Sequence, residues 1–510
     1  MHRTQLPPTS PPPERSHRVR DSIEHPSTYG FRQWSGWVLG PAALLFTLVV
    51  PAPEALSEEG WRTAGVALLM ATLWLTEALP IPATALLPLV MFPLLGLADV
   101  RVAATPYANP LVFLFLGGFL LALAMQRWGL HRRLALAVLA RFGLRPRRII
   151  AGFLVASCLT SMWVSNTATA LMMLPIAMSV YALIPDSERN TAPVRSFGAA
   201  MMLAVAYGAT TGGMATLIGT PPNALLAGYV DRAHDVTLGF GQWMLLGLPV
   251  TLVALPVVYA VLMRHSRSLS AGELPGLRAL LETERQRVGK LQGAEAIVAV
   301  VFTLTALAWI FQPLLARVFP AVSDTTIGMA GALLLFAIPV DFRRGEFVMN
   351  WESTKGLPWD VLLLFGGGLS LADRIQQSGL ANYLGSLAGA LDALPVVVTV
   401  AIICFGILML TELTSNTATA ATFLPIVGAM AVSLGHNPLL FLVPTALAAN
   451  CSYMMPVGTP PNAIVFGSGL VTLPQMARAG WLLNLALVPI IVGLVYLLGP
   501  YVFGDALGRW

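Results

Sequence analysis

The chain has 510 residues, of which 56% are hydrophobic and only 11% are charged, and its mean hydropathy is +0.73. So few charges cannot coat the surface of a soluble protein of this length. The net charge of +5 is also small beside the long uncharged apolar runs. Composition therefore excludes a nucleic-acid binder, a disulfide-rich secreted domain and a disordered chain. The three cysteines lie in apolar runs without metal-ligand spacing, which favours buried small side chains over a zinc site.

Apolar segments long enough to cross a bilayer begin only after the first 33 residues. Residues 1–33 are rich in Pro, Arg, Ser and His and predict a disordered basic tail. From Trp37 onward, stretches that can cross about 30 Å of hydrocarbon alternate with short polar breaks, which is typical of a polytopic helical membrane protein. The eleven predicted spans lie near residues 37–51, 64–79, 83–98, 110–126, 198–229, 242–263, 294–316, 326–340, 357–372, 438–468 and 480–502.

Two further apolar segments, 150–184 and 396–434, are too long for one helix and carry a polar cluster in the middle. We predict that each is a re-entrant hairpin. With the N-terminal tail in the cytoplasm and both hairpins returning to the side of entry, most Lys and Arg residues fall on the cytoplasmic side, as in known membrane proteins. The first hairpin then opens to the cytoplasm and the second to the exterior. This predicts an integral protein of a plasma membrane, of the bacterial inner-membrane type, with an external C-terminus.

The two halves of the chain share short sequence motifs in the same order. These pairs are LFLGGFLLAL at 114–123 with LLFGGGLSLA at 363–372, SNTATA at 165–170 with 415–420, and GTPPNA at 219–224 with 458–463. Because the two hairpins open to opposite sides, the copies must have opposite topology. The sequence therefore predicts an all-α fold with the inverted repeat of secondary transporters.

Each SNT lies at the middle of its hairpin. Polar groups inside a membrane are unfavourable unless their hydrogen bonds are satisfied, so these residues indicate a structural or binding role. Ser, Asn and Thr cap helix N-termini, whose free N–H groups and positive dipole end can hold an anion. In GTPPNA, Pro221 and Pro460 are expected to start the second half of a broken helix. One such motif alone is more simply explained by local capping. Two paired copies favour a binding site.

The same breaks offer neutral oxygen ligands for a small hard cation such as sodium. The candidate side chains are Ser161, Ser165, Asn166, Thr411, Thr414 and Asn416. No Lys or Arg lies in 150–184, 198–230 or 437–471, and Glu412 is the single charge in 396–434. The chain contains no phosphate-binding GxxxxGK[ST] motif and no paired nucleophile and base, which favours a secondary transporter over an ATPase or an enzyme.

Glu412 has two possible roles, in ion coupling or in accepting backbone N–H groups, and the sequence does not choose between them. Glu77 poses the same question near the end of its span. The basic amphipathic stretch 131–148 is expected to lie along the inner membrane surface.

The repeated motifs, together with LWLTEALPIPATALLPLVMFPLLG at 73–96 and FLGGFLLALAMQRWGLHRR at 115–133, closely resemble the divalent anion:sodium symporter family. The resemblance covers about residues 37–503. It implies a homodimer of protomers with eleven transmembrane helices and two opposed hairpins. It also implies an elevator mechanism, in which a transport domain moves across a fixed scaffold. The implied divisions are a scaffold at 37–149 and 294–395, a transport domain at 150–263 and 396–503, and a cytoplasmic loop at 264–293.

The resemblance also implies binding residues. One sodium site would use Ser161, Ser165, Asn166 and the carbonyl of Gly219, and the second would use Thr411, Thr414, Asn416 and the carbonyl of Gly458. The substrate carboxylates would contact Asn166, Thr167, Asn416, Thr417, Thr220, Pro221, Thr459 and Pro460. The implied activity is sodium-coupled import of C4-dicarboxylates such as succinate, malate or fumarate, without an organic cofactor. The alternatives are a sodium-independent anion exchanger and a symporter that prefers citrate or sulfate.

Overall fold

A computed structural model of the chain describes residues 30–189, 191–265, 274–387 and 394–504, so most of the predicted basic tail lies outside the described residues. The helices of the first half are α1 (Phe31–Val49), α2 (Glu58–Thr76), α3 (Ile81–Thr84), α4 (Pro88–Leu94), α5 (Val100–Ala104), α6 (Pro110–Arg127), α7 (Leu130–Phe142), α8 (Pro146–Ser161), α9 (Asn166–Ala182), α10 (Asp186–Arg189), α11 (Ala192–Gly213), α12 (Pro221–His234) and α13 (Phe240–His265).

The second half continues in the same way. Its helices are α14 (Leu277–Val288), α15 (Gly293–Ile310), α16 (Gln312–Val318), α17 (Asp324–Ala337), α18 (Trp359–Gln377), α19 (Leu380–Leu387), α20 (Val396–Thr411), α21 (Asn416–Ser433), α22 (Pro438–Asn450), α23 (Pro460–Phe466) and α24 (Leu473–Phe503). Short 3-10 helices at Thr105–Ala108 and Trp351–Gly356 precede α6 and α18.

Within the described residues, the fold departs from the all-α prediction at one place. Strands β1 (Pro339–Asp341) and β2 (Glu346–Phe347) form an antiparallel pair with an irregular register after α17. Gly345 lies in the turn between the two strands and adopts a positive φ of 64°, which glycine tolerates without strain.

The predicted spans correspond to helices of unequal length. Within the described residues, five helical stretches are long and apolar enough to cross a membrane: 100–127, 240–264, 293–310, 416–433 and 473–503. Four of them overlap predicted spans, whereas 416–433 is the second arm of the predicted hairpin 396–434. Several other predicted spans form shorter helices. The predicted span 83–98 is wrong as a single helix, because prolines divide it into α3 and α4, with Pro88 starting α4 and Pro93 inside its last turn. The predicted number of eleven spans stays a prediction.

Both predicted hairpins consist of two helices joined by a four-residue tip. Helices α8 and α9 flank residues 162–165, and α20 and α21 flank residues 412–415. The predicted breaks at the GTPPNA motifs are also confirmed, since α12 begins at Pro221 and α23 begins at Pro460. Proline is favoured at a helix start because it has no N–H to lose there and its φ is already helical.

The hairpins and the broken helices pack reciprocally. Helix α9 of the first hairpin lies against α23 of the second repeat, and α21 of the second hairpin lies against α12 of the first. Helix α11 packs along α8, and α22 packs between α20 and α21. This exchange gathers the four helix breaks into one buried region of the protein.

Candidate functional site

The two hairpin tips are closed by the same hydrogen bond. Ser161 Oγ donates to Asn166 Oδ1 at 2.5 Å, and Thr411 Oγ1 donates to Asn416 Oδ1 at 2.6 Å. In both tips the hydroxyl comes from the last residue of one arm, and the amide comes from the first residue of the next arm. Two of the residues predicted for each sodium site are thus in direct contact within each tip, and their binding of sodium stays a prediction.

The caps of the second arms differ between the repeats. Ser165 Oγ accepts a hydrogen bond from the N–H of Ala168 at 3.3 Å, which confirms the predicted cap. Ser415 forms no such side-chain cap. Thr414 Oγ1 instead donates to Leu410 O at 2.9 Å and lies 2.8 Å from Thr419 Oγ1. The Thr414 hydroxyl is therefore already engaged by its own hairpin.

The asparagines of the two GTPPNA motifs make equivalent bonds. Asn223 Nδ2 donates to the carbonyls of Gly213 at 3.1 Å and Thr216 at 2.9 Å. Asn462 Nδ2 donates to the carbonyls of Ser452 at 3.2 Å and Met455 at 3.0 Å. Both asparagines are fully buried. The second set of residues (Ser452, Met455 and Asn462) follows the first set (Gly213, Thr216 and Asn223) at the same spacing as the second GTPPNA motif follows the first. The sequence repeat is therefore also a repeat of hydrogen bonds.

Asn450, at the end of α22, connects three of the breaks. Its Oδ1 accepts from Thr220 Oγ1 at 2.6 Å, and its Nδ2 donates to Asn223 Oδ1 at 3.0 Å. Its carbonyl accepts from Asn416 Nδ2 at 3.4 Å. The tip of the second hairpin, the end of α22 and the start of α12 are thereby held in one network of neutral polar groups.

Gly213 brings two predicted sodium ligands together. A Cβ built at Gly213 would lie 2.8 Å from Asn166 Oδ1 and 3.2 Å from the carbonyl oxygen of Gly219. The two oxygens can share this space only because residue 213 has no side chain. At the second predicted sodium site, a Cβ at Gly458 would lie 3.1 Å from the carbonyl oxygen of Glu412. An amide oxygen and a carbonyl oxygen therefore lie close together at the first predicted site, and a carbonyl oxygen lies close to Gly458 at the second.

The predicted substrate residues fall into two groups. Asn166, Thr167, Asn416 and Thr417 keep part of their surface accessible, and so does each proline that starts α12 or α23. Thr220 and Thr459 are only 4% exposed.

The hydroxyls of both buried threonines are used inside the protein. Thr220 donates to Asn450, and Thr459 Oγ1 accepts from the N–H of Asn462 at 3.4 Å. The side chains of Thr220 and Thr459 therefore support the helix starts, whereas the tip residues are the accessible ones.

Glu412 lies beside the second tip and is 3% exposed. Its carboxylate accepts five hydrogen bonds, from the N–H groups of Tyr453 (2.8 Å), Met454 (2.9 Å) and Met455 (3.1 Å), from Ser452 Oγ (3.1 Å) and from Asn484 Nδ2 (2.7 Å). Of the two roles considered from the sequence, this geometry is that of the N–H acceptor. The carboxylate holds the unwound segment between α22 and α23 and ties it to α24. At the position of Glu412 in the first repeat, the chain has Met162.

Sequence reasoning missed Asn223, Asn450, Asn462 and Ser452 as members of the site. A signal for three of them was present. Asn223 and Asn462 occupy the same place in a duplicated motif, and Asn450 is an amide in a segment without charge. A buried amide in such a segment must find partners, which marks it as part of a network.

A cluster of interrupted helices with accessible amide tips, whose predicted binding residues carry no charge, is the arrangement of an ion-coupled secondary transporter, which binds its ligands at helix ends and unwound carbonyls. The family model of the sodium:sulfate symporter transmembrane region matches residues 32–504. The chain belongs to this family, and it is a membrane transporter.

Curated relatives match nearly the whole chain. The sodium-dependent dicarboxylate transporter SdcS of Staphylococcus saprophyticus is 40% identical over 484 residues, which cover 94% of this chain and 93% of that protein. SdcS of Staphylococcus aureus is 40% identical over 479 residues, with 92% of each chain covered. Among solved structures, the YdaH transporter of Alcanivorax borkumensis aligns with a TM-score of 0.49 and 17% identity, covering 82% of this chain and 91% of that one.

Proposed function

We propose that this chain imports C4-dicarboxylates such as succinate, malate and fumarate across the plasma membrane, together with sodium. The observation that carries the proposal is the duplicated tip, in which an accessible asparagine at a helix start receives a hydroxyl bond from the end of the preceding arm. Two such tips suit a ligand with two carboxylates. Near-full-length relatives named as sodium-dependent dicarboxylate transporters support the same function.

The dicarboxylate binds between the two tips. Asn166 and Thr167 serve one carboxylate, and Asn416 and Thr417 serve the other, with the free N–H groups at the starts of α9 and α21 adding positive dipole ends. Pro221 and Pro460 line the site beside them. Thr220 and Thr459 act from behind, through the hydrogen bonds that fix the starts of α12 and α23.

Sodium binds on the inner side of each tip. The first site uses Ser161, Ser165, Asn166 and the carbonyl of Gly219. The second uses Thr411, Asn416, the carbonyl of Gly458 and Thr414. Neutral ligands suit sodium, and the bound sodium ions offset the charge of the dianion. A fixed Lys or Arg would also offset this charge, but it would leave an unpaired charge in the membrane whenever the site is empty.

Transport proceeds by alternating access in an inverted repeat. Residues 150–263 and 396–503 form the moving transport domain, residues 37–149 and 294–395 form the scaffold, and two protomers form a homodimer. The reciprocal packing of α9 with α23 and of α21 with α12 supports one moving body, because each hairpin is held by the other repeat. The N-terminus lies in the cytoplasm and the C-terminus outside.

The preferred anion is tested by competition. Purified protein in liposomes takes up labelled succinate under an inward sodium gradient, with unlabelled malate, fumarate, citrate or sulfate added in excess. The proposal predicts strong inhibition by malate and fumarate and weak inhibition by citrate and sulfate. Stronger inhibition by sulfate or citrate than by malate would assign the site to that anion.

A further inference from the structure

A cavity of about 530 Å³ lies between α7 and α14, away from the helix breaks. Its apolar floor contains Leu136, Ala137 and Ala140 of α7 and Leu281 and Val288 of α14. Its rim contains Arg133, Arg141, Arg285 and Lys290, and none of its lining residues is acidic. The cavity thus has an apolar floor below a ring of positive charge.

Two carboxylates near this cavity, Glu284 and Glu295, are already paired. Glu284 accepts hydrogen bonds from Arg132 and Arg287, and Glu295 binds Arg133 through both of its oxygens at 2.6 and 2.7 Å. These bonds tie α7 to α14 and α15, so the walls of the cavity are fixed to each other.

Three rim cations keep their charge without a partner carboxylate. Among the described residues, Arg141, Arg285 and Lys290 form no ion pair, and Arg141 donates only to the carbonyl of Ala137 at 3.0 Å. All three are exposed. A cluster of unneutralised like charges is unfavourable by itself, and it is stabilised when an anion occupies the space between the charges.

The cavity adjoins the start of a helix that can cross a membrane. The short segment from Gly289 to Gln292 closes the cavity and leads directly into α15, which is long and apolar enough to cross a bilayer. Leu291 is 48% exposed at the mouth, and Leu134 is 44% exposed on α7. Exposed leucines beside exposed cations are typical of a surface at the level of lipid headgroups.

We propose that this cavity binds an anionic glycerophospholipid. Its phosphate lies among Arg141, Arg285 and Lys290, and the upper part of its acyl chains covers the leucines and alanines of the floor. A soluble anion would use the cations but would leave the apolar floor in water. A zwitterionic lipid would cover the floor but would bring its own cation close to the rim. Of these three occupants, the anionic lipid is the one that satisfies both parts of the cavity.

The proposal is tested by native mass spectrometry of the purified full-length protein in detergent, titrated with phosphatidylglycerol or phosphatidylcholine. We expect phosphatidylglycerol to be retained at lower concentration than phosphatidylcholine. Each cation near a headgroup adds about 1 kcal/mol, so the double variant Arg285→Ala/Lys290→Ala should bind phosphatidylglycerol about thirty-fold more weakly. The double variant Arg195→Ala/Arg343→Ala removes the same charge from two other exposed arginines and should bind as the unchanged protein does.

A second variant separates shape from charge. Ala140→Trp fills the cavity without changing its charge, and because Ala140 is exposed, the substitution does not disturb the core. It should lower retention of phosphatidylglycerol by a factor similar to that of the double variant. Equal retention of the two lipids, unchanged retention in either cavity variant, or displacement of the lipid by millimolar inorganic phosphate would overturn the proposal.

Discussion

The Glu412 carboxylate accepts five hydrogen bonds through its two oxygens. Replacing Glu412 with glutamine removes one of these oxygens and keeps the size of the side chain. Every partner of this carboxylate is a donor in the structure, and three are backbone N–H groups that cannot reverse their role. Glutamine brings an amide nitrogen into this set of donors. The substitution therefore tests whether Glu412 holds the unwound segment at the second tip.

The cost follows from the bonds that glutamine cannot keep. In its least damaging orientation the new amide nitrogen replaces Oε1, which accepts from Tyr453 and Asn484. The Asn484 amide can turn and offer Oδ1, which is buried without a partner in the structure. The N–H of Tyr453 then remains unsatisfied. A lost bond to a charged group costs about 1.5–3 kcal/mol, so the held segment is disfavoured by a factor of about ten to a hundred.

The assay is uptake of labelled succinate into proteoliposomes at fixed succinate and increasing sodium. The carbonyl of Gly458 lies in the segment that Glu412 holds, so Glu412→Gln should raise the sodium concentration for half-maximal uptake by about tenfold or more. Asn484→Ala removes one donor of five and should cause a smaller shift in the same direction. Glu54→Gln, at an exposed loop carboxylate, should cause none.

Two results would refute this reasoning. One is an unchanged sodium dependence in Glu412→Gln in protein that is folded, as judged by its melting temperature. The other is a normal sodium dependence with a lost dependence on external pH, which would make Glu412 a proton carrier.

Three further predictions concern the tips. Asn166→Ala and Asn416→Ala should each lower sodium-driven succinate uptake about tenfold or more, because each removes an amide from a tip; normal uptake would remove that residue from the site. Gly213→Ala should raise the half-saturating sodium concentration several-fold, because the new Cβ would displace Asn166. The control Gly406→Ala should not, since open space surrounds Gly406, and equal effects of the two variants would exclude crowding as the cause. Arg32→Gln removes the hydrogen bond from Arg32 to the carbonyl of Leu413 in the second tip, together with the ion pair that holds Arg32 against Glu77. This change is worth about 1 kcal/mol, so hydrogen exchange at that tip should rise several-fold, and unchanged exchange would contradict the contact's role.

Local features of the site were predictable from the sequence because they depend on nearby residues. The starts of α12 and α23 follow from the proline after each Gly-Thr pair, and the ends of the hairpin arms follow from the SNT words. The Ser165 cap is likewise a bond over three residues. Such features need only helix geometry and the rules of capping.

Features that depend on distant residues were not predictable. Glu412 meets the N–H groups of residues 453–455 only because α20 and α22 pack together, and a lone sequence does not give that distance. Asn450 connects the two repeats for the same reason. The interruption between α3 and α4 was missed although its prolines were visible, because overall hydropathy gave 83–98 the appearance of one span.

The central claim is that sodium drives the entry of a dicarboxylate through a site whose binding residues carry no charge. It is tested most directly by uptake of labelled succinate into liposomes that contain the purified protein and no internal dicarboxylate, with an inward gradient of either sodium or potassium. The account predicts concentrative uptake with sodium and only background uptake with potassium. Equal uptake with both cations, or uptake that appears only after the liposomes are loaded with dicarboxylate, would contradict symport and indicate exchange.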